Sequence, residues 1–513
     1  MPAREAQLRA PVIVAGAGPT GLALATELRR GGIDVLLLEQ RSHRGQDGSR
    51  AAGMQPRTIE MLDQRGVVDR FLAAGPPAPL GNFAGIVLDY STLSSRFPYA
   101  LNILQAETEQ VLEEMATELG VAVQWSTTVT GFRQDATGVD VIVDTPHGSA
   151  TLRGSYLVAC DGGRSTIRKL TEVGFPGTDA TMACLIGDVE LDDPPERPLF
   201  LDRRERGTIT AIQFRPGWYR VVTSEPQRAA GPHDPVTLEE LRRSLIRVAG
   251  TDFGMHSPRW LSHFDDAVRQ AERYRIGRVL LAGDAAHIHL PAGGQGMNMG
   301  MQDAFNLGWK LAAVVRGEAT DALLDTYHEE RHAADADTLK LVRAQAALFG
   351  LSDQITELYN VFTDLIGFSA VNTYLSARLS GLDLRYPGCR DHPLLGRRVP
   401  DVAINTSGGT TSIYQLLHRA TPIVLTFSDS AALAEATTAW AGRITTVSAT
   451  NDGEPWTLPD ATSIPAPTAL LIRPDGYVAW IAGGTPDLAD LSDTLTAWCG
   501  APSRRGDRDT VVL

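Results

Sequence analysis

The N-terminal part of the chain contains two short apolar runs separated by a stretch with helical periodicity. The runs at 11–15 and 33–38 predict buried strands, because each is short and almost wholly apolar. Between them, Leu22, Ala25 and Leu28 recur at the spacing of one helical face. The pattern therefore predicts a strand–helix–strand unit whose two strands lie parallel in one sheet.

A second stretch, 278–311, has a similar order of elements but a longer, glycine-rich connection. The apolar run 279–282 predicts a buried strand, and a helical stripe begins near Ala304. Asp284, Pro291 and several glycines lie between them. A strand end, a glycine loop and a helix start bring backbone N–H groups and the positive end of a helix dipole to one point. The stretch therefore predicts a site for an anionic ligand.

Shorter apolar runs predict further strands along the chain. The runs at 121–125, 128–132 and 139–144 follow one another closely, as in a β-meander. Those at 84–88 and 152–159 are each predicted to form one continuous strand.

Changes of pattern divide the chain into four segments. Between 176 and 268 short strands and loops predict an antiparallel domain inserted into the first domain, and the chain after 311 is helical to about residue 380. The predicted segments are 1–175, with 80–104 contributing to the inserted domain; 176–268; 269–390, which returns to the first domain and adds linking helices; and 391–513, a compact α/β domain.

The turn after the first predicted strand carries the sequence Gly16-x-Gly18-x-x-Gly21. Glycines at these positions allow a tight turn and the close approach of a pyrophosphate to the N-terminus of the helix. Glu39 follows Gly21 by 18 residues, where a carboxylate can accept a ribose hydroxyl. The pattern predicts a bound dinucleotide, and the alternative is a glycine-rich turn without a ligand.

Charge and composition argue against nucleic-acid and membrane partners. The chain has 47 basic and 61 acidic residues, a formal net charge of −14, and no long basic tract. No apolar run reaches the roughly 18 residues of a transmembrane helix, and residues 1–10 do not resemble a signal peptide. The four cysteines are scattered without a CxxC pair. We therefore expect a protein of the reducing cytoplasm with free thiols.

Three separated motifs together carry a family resemblance. They are Gly16-x-Gly18-x-x-Gly21 with Glu39, Asp161-Gly162-x-x-Ser165-x-x-Arg168, and Gly283-Asp284-Ala285-Ala286-His287 with Pro291. In this order they resemble the single-component flavoprotein aromatic hydroxylases, which include the p-hydroxybenzoate and phenol hydroxylases. The runs 293–298 and 306–310 are most similar to the polyketide-tailoring hydroxylases and rifampicin monooxygenase. The resemblance covers about residues 1–390.

The resemblance implies an α/β fold with three parts: a Rossmann-like FAD-binding domain, an inserted antiparallel-sheet substrate domain at 176–268, and a C-terminal thioredoxin-like α/β domain. Because 391–513 lacks a redox CxxC pair, a structural or dimer-contact role is expected there, in a monomer or a homodimer. The resemblance also implies FAD as the cofactor, NADPH or NADH as the reductant, and O2 and a small aromatic molecule as substrates.

The resemblance also assigns residues to the cofactor. Glu39 would hold the adenosine ribose, Arg41 would lie by the adenine, and Asp284 would bind the ribityl chain. Arg50 and Gln105 would contact the ribityl and phosphate region. The remaining implied contacts are Gly16, Gly18, Thr20 and Gly21 in the first turn; Gln40 beside Glu39; Asp161 and Gly162 near the pyrophosphate, serving both FAD and NADPH; Pro291 at the flavin ring; and Gly296, Met297 and Asn298 at its pyrimidine edge.

The implied reaction is a hydroxylation in which the cofactor carries the difficult step. NAD(P)H reduces FAD, oxygen adds to give a C4a-hydroperoxyflavin, and its distal oxygen passes to an electron-rich aromatic ring. The helix start after Gly296 would stabilise the negative charge of the reduced flavin. A base or hydrogen-bond partner for a phenol substrate is not singled out by the sequence. The candidates are Arg215, Tyr219, Arg220 and His256, each with a surface or structural role as the alternative.

Two histidine pairs admit a metal as an alternative interpretation. The run His328-Glu329-Glu330-Arg331-His332 matches HExxH, which places two imidazoles on one helix face as in zinc proteases. Its position after the flavin-binding stretch favours a surface helix. His287-x-His289 lies within the Gly-Asp motif, where packing beside the flavin is favoured over metal binding. We therefore expect no metal.

Other functions share parts of this pattern. Flavin-dependent halogenases need a WxWxIP segment and a preceding lysine, and disulfide reductases need an early CxxC; the sequence has neither. Baeyer–Villiger or epoxidising oxygenation uses the same cofactor chemistry and stays open, as does the inactivation of an antibiotic rather than its biosynthesis. From a different class, a non-catalytic FAD-binding scaffold protein is an alternative, against which the combined NADPH and flavin motifs argue.

Overall fold

The computed structural model describes residues 11–45, 51–197, 199–225, 235–388, 392–428 and 430–503. The predicted strand–helix–strand unit is confirmed as Val12–Ala15, Pro19–Arg30 and Val35–Leu38. Its two strands pair in parallel, with Val12 opposite Val35. The unit is the start of the N-terminal domain.

A six-stranded sheet forms the centre of that domain. Three of its inner strands, Val12–Ala15, Tyr156–Ala159 and Val279–Leu281, are buried and apolar, as expected for a parallel sheet covered on both faces. Helix Pro19–Arg30 packs against both Gln105–Glu118 and Gln295–Arg316. At one edge, Arg275–Ile276 runs antiparallel to Val279–Leu281. The order across the sheet is Arg275–Ile276, Val279–Leu281, Tyr156–Ala159, Val12–Ala15, Val35–Leu38 and Val123–Gln124.

Two strand predictions differ from the structure. Val123–Gln124 lies in the parallel sheet beside Val35–Leu38, because a short apolar run does not specify its pairing partner. The predicted strand 152–159 is divided at Ser155, whose backbone N–H donates to the Pro11 carbonyl at 2.9 Å. The antiparallel meander instead consists of Thr128–Gln134, Val139–Thr145 and Gly148–Gly154.

The inserted domain is a five-stranded antiparallel sheet with one helix on it, as predicted. Helix Leu238–Ala249 buries Leu241 and Leu245 against one face of the sheet. On the opposite face, Ile186 packs in a cluster with Leu290, which belongs to the glycine-rich loop. The order across the sheet is Leu199–Arg204, Gly207–Arg215, Trp218–Glu225, Ala183–Leu191 and Met255–Asp265.

A hairpin and three helices lie beside this sheet. The hairpin strands are Leu80–Phe83 and Ile86–Asp89, because Ala84 and Gly85 adopt positive φ (52° and 86°) and break the single strand that the sequence predicts. The Phe83 and Phe362 rings stack with centroids 5.3 Å apart. The hairpin thus packs on the helical segment, which consists of Asp325–Leu348, Asp353–Ile366 and Ser369–Leu379.

The C-terminal domain has a second six-stranded sheet and two main helices, Ala431–Thr437 and Leu488–Cys499. Ile423–Thr426 and Thr445–Thr450 pair in parallel, and the other neighbours are antiparallel. The order is Gly409–Ser412, Ala403–Thr406, Thr445–Thr450, Ile423–Thr426, Ala469–Ile472 and Val478–Ala482.

Short elements complete the description. Among the described residues, we find no helix that is both long and apolar enough to span a bilayer. The remaining α-helices are Pro56–Asp63, Val68–Ala74, Thr166–Leu170 and Ile413–Leu416, and the remaining strands are Pro77–Ala78, Ala100–Leu101, Gly177–Thr178, Val268–Gln270, His287–Ile288, Trp456–Thr457 and Ser463–Ile464.

Candidate functional site

The first glycine turn is packed too closely for side chains. A Cβ on Gly16, whose φ is 104°, would lie 2.2 Å from the Cys160 carbonyl oxygen, and one on Gly21 would lie 1.9 Å from the Gly16 oxygen. At Gly18, which precedes helix Pro19–Arg30 without a side-chain cap, a Cβ would meet nothing within 4 Å. The helix N-terminus is therefore open on the Gly18 side, and this concavity fits a phosphate group.

Glu39 lies directly beside this turn and is buried. Its carboxylate accepts hydrogen bonds from the backbone N–H of Ala17 at 2.8 Å and of Arg41 at 2.9 Å. The Arg41 guanidinium donates to Glu39 at 3.0 Å and pairs with Glu109 at 3.5 Å. The acid and the arginine thus form a fixed polar wall at the end of the second strand. Gln40, between them, is exposed.

The Gly283–Asp284 turn follows strand Val279–Leu281 and lies against the first helix. A Cβ on Gly283, whose φ is 61°, would lie 2.6 Å from Oγ1 of Thr20, and one on Gly300 would lie 2.2 Å from the same atom. Thr20 therefore fills the space between the turn and the long helix Gln295–Arg316. Asp284 itself is exposed, so its carboxylate can reach a ligand.

Glycines also set the approach of helices Pro19–Arg30 and Gln295–Arg316. A Cβ on Gly308 would lie 2.5 Å from the Glu27 Cβ, and one on Gly31 would lie 2.6 Å from the Ala312 Cβ. The two helix N-termini are thus held in one rigid arrangement, as a ligand with two polar halves requires.

The side chain of Asn298 helps to fix the glycine-rich loop after Pro291. Gly293 and Gly294 adopt left-handed conformations (φ 65° and 66°) before the long helix. The buried Asn298 side chain accepts from the Gln55 N–H at 2.8 Å and donates to the Gly294 carbonyl at 2.8 Å. Asn298 therefore holds the loop with its side chain. The Pro291 ring is exposed at the loop, Met297 is buried, and Gly296 is half-exposed.

The Asp161-Gly162 segment meets the same region from the neighbouring strand. Asp161 Oδ2 accepts from the Thr166 N–H at 2.8 Å, and its buried Oδ1 has no partner in the described part of the chain. Burial raises the pKa of Asp161 above its ordinary value. Arg168 donates to the Ala285 carbonyl at 2.9 Å, which links this segment to the Gly283–Asp284 turn.

Of two further residues that the resemblance assigns to the cofactor, the structure describes Gln105 but not Arg50. Gln105 begins helix Gln105–Glu118, where its N–H donates to the Ala51 carbonyl at 3.1 Å and its side chain donates to Glu109 at 2.8 Å. Arg50 lies outside the described residues.

A buried ion network lies beneath the Gly283–Asp284 turn. Asp303 Oδ2 accepts from the Gly283 N–H and from His287 Nε2, both at 2.9 Å. Asp303 Oδ1 accepts from Arg331 at 2.7 Å, and Arg331 also donates to Asp335 at 2.7 Å. These four side chains are almost completely buried. The network fixes the turn from behind.

This network could be mistaken for a metal centre. The possible ligand atoms of His287, Asp303 and Asp335 lie within 4.8 Å of one another. The Arg331 guanidinium already bonds both carboxylates, so a cation there would be repelled. The histidines of the HExxH run, His328 and His332, stack edge to face with centroids 4.9 Å apart. The donor set fits an ion network better than a metal.

His287 makes the stability of this region depend on pH. Burial alone lowers the pKa of His287, but the charges of Asp335 and Asp303 outweigh it and raise the pKa to about 9 from 6.5. The protonated imidazole therefore stabilises the fold fully below pH 6.5, and this contribution is lost as the pH rises through about 9. We expect urea unfolding to show a difference between wild type and His287→Gln that shrinks from pH 6.5 to pH 9.5. A constant difference would contradict a charged His287.

Two family models match most of the chain. Residues 9–341 match the family described as FAD binding domain, and residues 392–502 match that described as aromatic-ring hydroxylase, C-terminal. The chain is 44% identical to 12-dehydrotetracycline 5-monooxygenase/anhydrotetracycline 6-monooxygenase of Streptomyces rimosus, over 97% of this chain and 100% of the relative. The chain belongs to the FAD-dependent aromatic-ring hydroxylases. The family and the mixed α/β fold expected from the motifs are thus confirmed, whereas the thioredoxin-like character of the C-terminal domain stays a prediction.

Two further comparisons agree with this assignment. The hydroxylase is 41% identical to a rifampicin monooxygenase of Streptomyces venezuelae, over 96% of this chain and 98% of the relative. The solved structure of an anhydrotetracycline hydroxylase from Streptomyces rimosus matches it with a TM-score of 0.89 at 43% identity, over 97% of this chain and 100% of that chain. The protein is therefore an FAD-dependent monooxygenase. The similarity covers nearly the whole chain and includes the C-terminal domain.

Of the four residues considered as base or hydrogen-bond partner for a phenol, one lies on the sheet face that packs toward the glycine-rich loop. Arg220 is buried, pairs with Asp188 through two contacts of 2.7 and 2.8 Å, and lies 3.4 Å from the Ala51 carbonyl. Tyr219, one residue earlier, faces the helix on the other side of the sheet. The exposed Arg215 pairs with Glu107 at 2.6 Å, and the half-exposed His256 lies 3.2 Å from Asp192.

The sequence interpretation missed the residues that support the turn from behind, namely Asp303, Arg331 and Asp335. One signal was available: Asp303 is a lone acid directly before the apolar helical stripe of Ala304, Leu307 and Leu311. A charged residue on a buried helix face needs a partner, but the sequence does not show which residue supplies it.

Proposed function

We propose that this hydroxylase uses NADPH or NADH, bound FAD and O2 to add one oxygen atom to an aromatic polyketide. The relatives named above act, by their names, on anhydrotetracycline and rifampicin. The observation that carries the proposal is the position of an apolar sheet face opposite the glycine-rich loop.

The rows of that face can be read from the strand register, because residues directly opposite each other share a face. One row carries the Arg220–Asp188 pair next to apolar residues, and the next row leads to the cluster around Leu290. The first row is Leu199, Ile212, Arg220, Asp188 and Trp260, and the second is Leu201, Thr210, Val222, Ile186 and Ser262. A sheet face that combines apolar side chains with an ion pair and two hydroxyl groups suits a fused-ring aromatic substrate that carries oxygen substituents.

The cofactor-binding geometry supports specific roles. The open helix N-terminus at Gly18 would take the pyrophosphate, and Glu39 would accept the ribose hydroxyls. Asp284 would accept from the ribityl chain, and the start of the helix at Gln295 would favour negative charge on the ring. FAD bound there would accept electrons from the reduced nicotinamide and would then activate O2. The protein orients the substrate and excludes water.

We infer further that the protein acts in the reducing cytoplasm, as a monomer or a homodimer. Within the part of the chain that the structure describes, Cys160 and Cys499 are free thiols. Free thiols of this kind are typical of a reducing compartment.

The test is to incubate the FAD-loaded protein and a reduced nicotinamide with a panel of polyketide aromatics. We expect substrate-dependent NADPH or NADH oxidation and a product that has gained one oxygen without losing carbon. The product structure separates ring hydroxylation from lactone or epoxide formation. A yellow protein that oxidises no nicotinamide with any member of the panel would favour the FAD-binding scaffold instead.

A further inference from the structure

The C-terminal domain contacts the N-terminal domain through buried charges. The turn Arg473–Asp475 inserts an arginine whose guanidinium donates to Glu330 at 2.9 Å and to Asp475 at 3.0 Å. Glu330 belongs to helix Asp325–Leu348, and it also accepts from Lys310 at 2.7 Å and from Asn306 at 2.8 Å. All five side chains are buried. The turn therefore reaches the middle of helix Gln295–Arg316, whose first turn was proposed above to lie at the flavin ring.

Glu330 is followed directly by Arg331, which belongs to the network under the cofactor turn. Arg331 donates to Asp303 at 2.7 Å, and Asp303 accepts from the Gly283 N–H at 2.9 Å. Asp303 and Lys310 lie on the same helix as Asn306, at the i−3 and i+4 positions that share a helical face. A series of contacts thus leads from Arg473 in the C-terminal domain to Gly283 beside Asp284. Arg473 pairs with Glu330, the helix backbone joins Glu330 to Arg331, and Arg331 pairs with Asp303, which accepts from the Gly283 N–H.

We propose that Arg473 of the C-terminal domain is a positioning residue for FAD, acting through Glu330, Arg331 and Asp303 on the Gly283–Asp284 turn. The proposal rests on the role given above to Asp284. It assigns the C-terminal domain a part in cofactor binding although it carries no cofactor-binding motif. The HExxH run also gains a role, because its Glu330 and Arg331 are the central members of the series.

Buried ion pairs suit this role because they define one geometry. A pair that is fully buried contributes little net stability, but removing one partner leaves an uncompensated charge that the neighbours must rearrange to solvate. Without Arg473, Lys310 would be the one charged partner left to Glu330 among the described residues, and burial lowers the pKa of Lys310 to about 8. The helix face that carries Asp303 would then shift, and the cofactor turn would move with it.

The test compares Arg473→Met with two control variants in the same domain. Arg443→Met removes a guanidinium that donates to the Cys499 and Ala501 carbonyls at 2.8 and 2.7 Å, and Arg419→Met removes an exposed one. FAD dissociation constants are measured by flavin fluorescence, well below the melting temperature of each apoprotein. We expect Arg473→Met to weaken FAD binding about five-fold or more. Arg443→Met should lower the melting temperature without this effect, and Arg419→Met should change neither.

A double variant shows whether the effect passes through Glu330. If the effect passes through Glu330, the losses of FAD affinity in Arg473→Met and Glu330→Gln are not additive. The double variant then binds FAD about as tightly as the single variant with the lower affinity. Unchanged FAD affinity in Arg473→Met, or additive losses, would overturn the proposal. Asp284→Ala distinguishes the proposed role of Asp284 from that of Arg473. Full FAD affinity in Asp284→Ala would contradict the role of Asp284. Lower affinity in Asp284→Ala with unchanged affinity in Arg473→Met would contradict the role of Arg473 alone.

Discussion

Replacing Asp284 with alanine should weaken FAD binding by about ten-fold or more, the effect of losing charged hydrogen bonds worth about 1.5–3 kcal/mol. The carboxylate is exposed on a turn that the glycines hold rigidly against the first helix. Because it lies at the surface, its loss should leave the stability of the apoprotein almost unchanged. Flavin fluorescence titration and thermal melting of the apoprotein measure the two quantities separately.

A matched control is Asp325→Ala, which removes another exposed carboxylate, one that pairs with Arg275 at 2.8 Å. This variant should bind FAD like the wild type. Asp284→Asn keeps one hydrogen-bond acceptor and should fall between the wild type and Asp284→Ala. Full flavin retention in Asp284→Ala would remove the Gly283–Asp284 turn from the cofactor site.

Replacing Asp303 with asparagine should have the largest effect on folding. Asp303 bonds His287, Arg331 and the Gly283 N–H, and all three side chains are buried. Removing its charge leaves two buried cations with Asp335 as their remaining charged partner, at a cost of about 3–5 kcal/mol. We expect urea unfolding to show this loss and FAD affinity to fall as well, because the cofactor turn loses its anchor.

The comparison variant is Asp337→Asn, on the same helix as Arg331. Asp337 is exposed and pairs only with the exposed Lys340 at 2.7 Å among the contacts of the described residues. Surface pairs of this kind contribute at most about 1 kcal/mol. If both variants lose similar small amounts of unfolding free energy, the network under the turn does not have the importance given to it here.

The sequence predicts the elements well where one apolar face repeats without interruption. The parallel strands and the helix between them follow from runs that are buried on both sides, and the inserted sheet follows from its alternation. The hairpin was less predictable, because Ala84 adopts a positive φ that glycine normally supplies. The pairing of Val123–Gln124 depends on distant residues, which a local pattern does not contain.

The candidate site divides in the same way. Gly16, Glu39 and Asp284 belong to local motifs, so the sequence alone brings them to notice. The partnership of Asp303 with Arg331, or of Glu330 with Arg473, joins residues that only the tertiary fold makes neighbours. Which candidate faces the glycine-rich loop was equally hidden, because adjacent strand residues point to opposite sides of a sheet.

The most direct test of the central claim is the origin of the oxygen in the product. The FAD-loaded protein is supplied with NADPH, ¹⁸O2 and a polyketide aromatic that stimulates NADPH oxidation. The mass of the product is then measured by mass spectrometry. The account predicts a product that carries one ¹⁸O atom on the original carbon skeleton. A product without ¹⁸O, conversion without a reduced nicotinamide, or release of all the oxygen as hydrogen peroxide would contradict it.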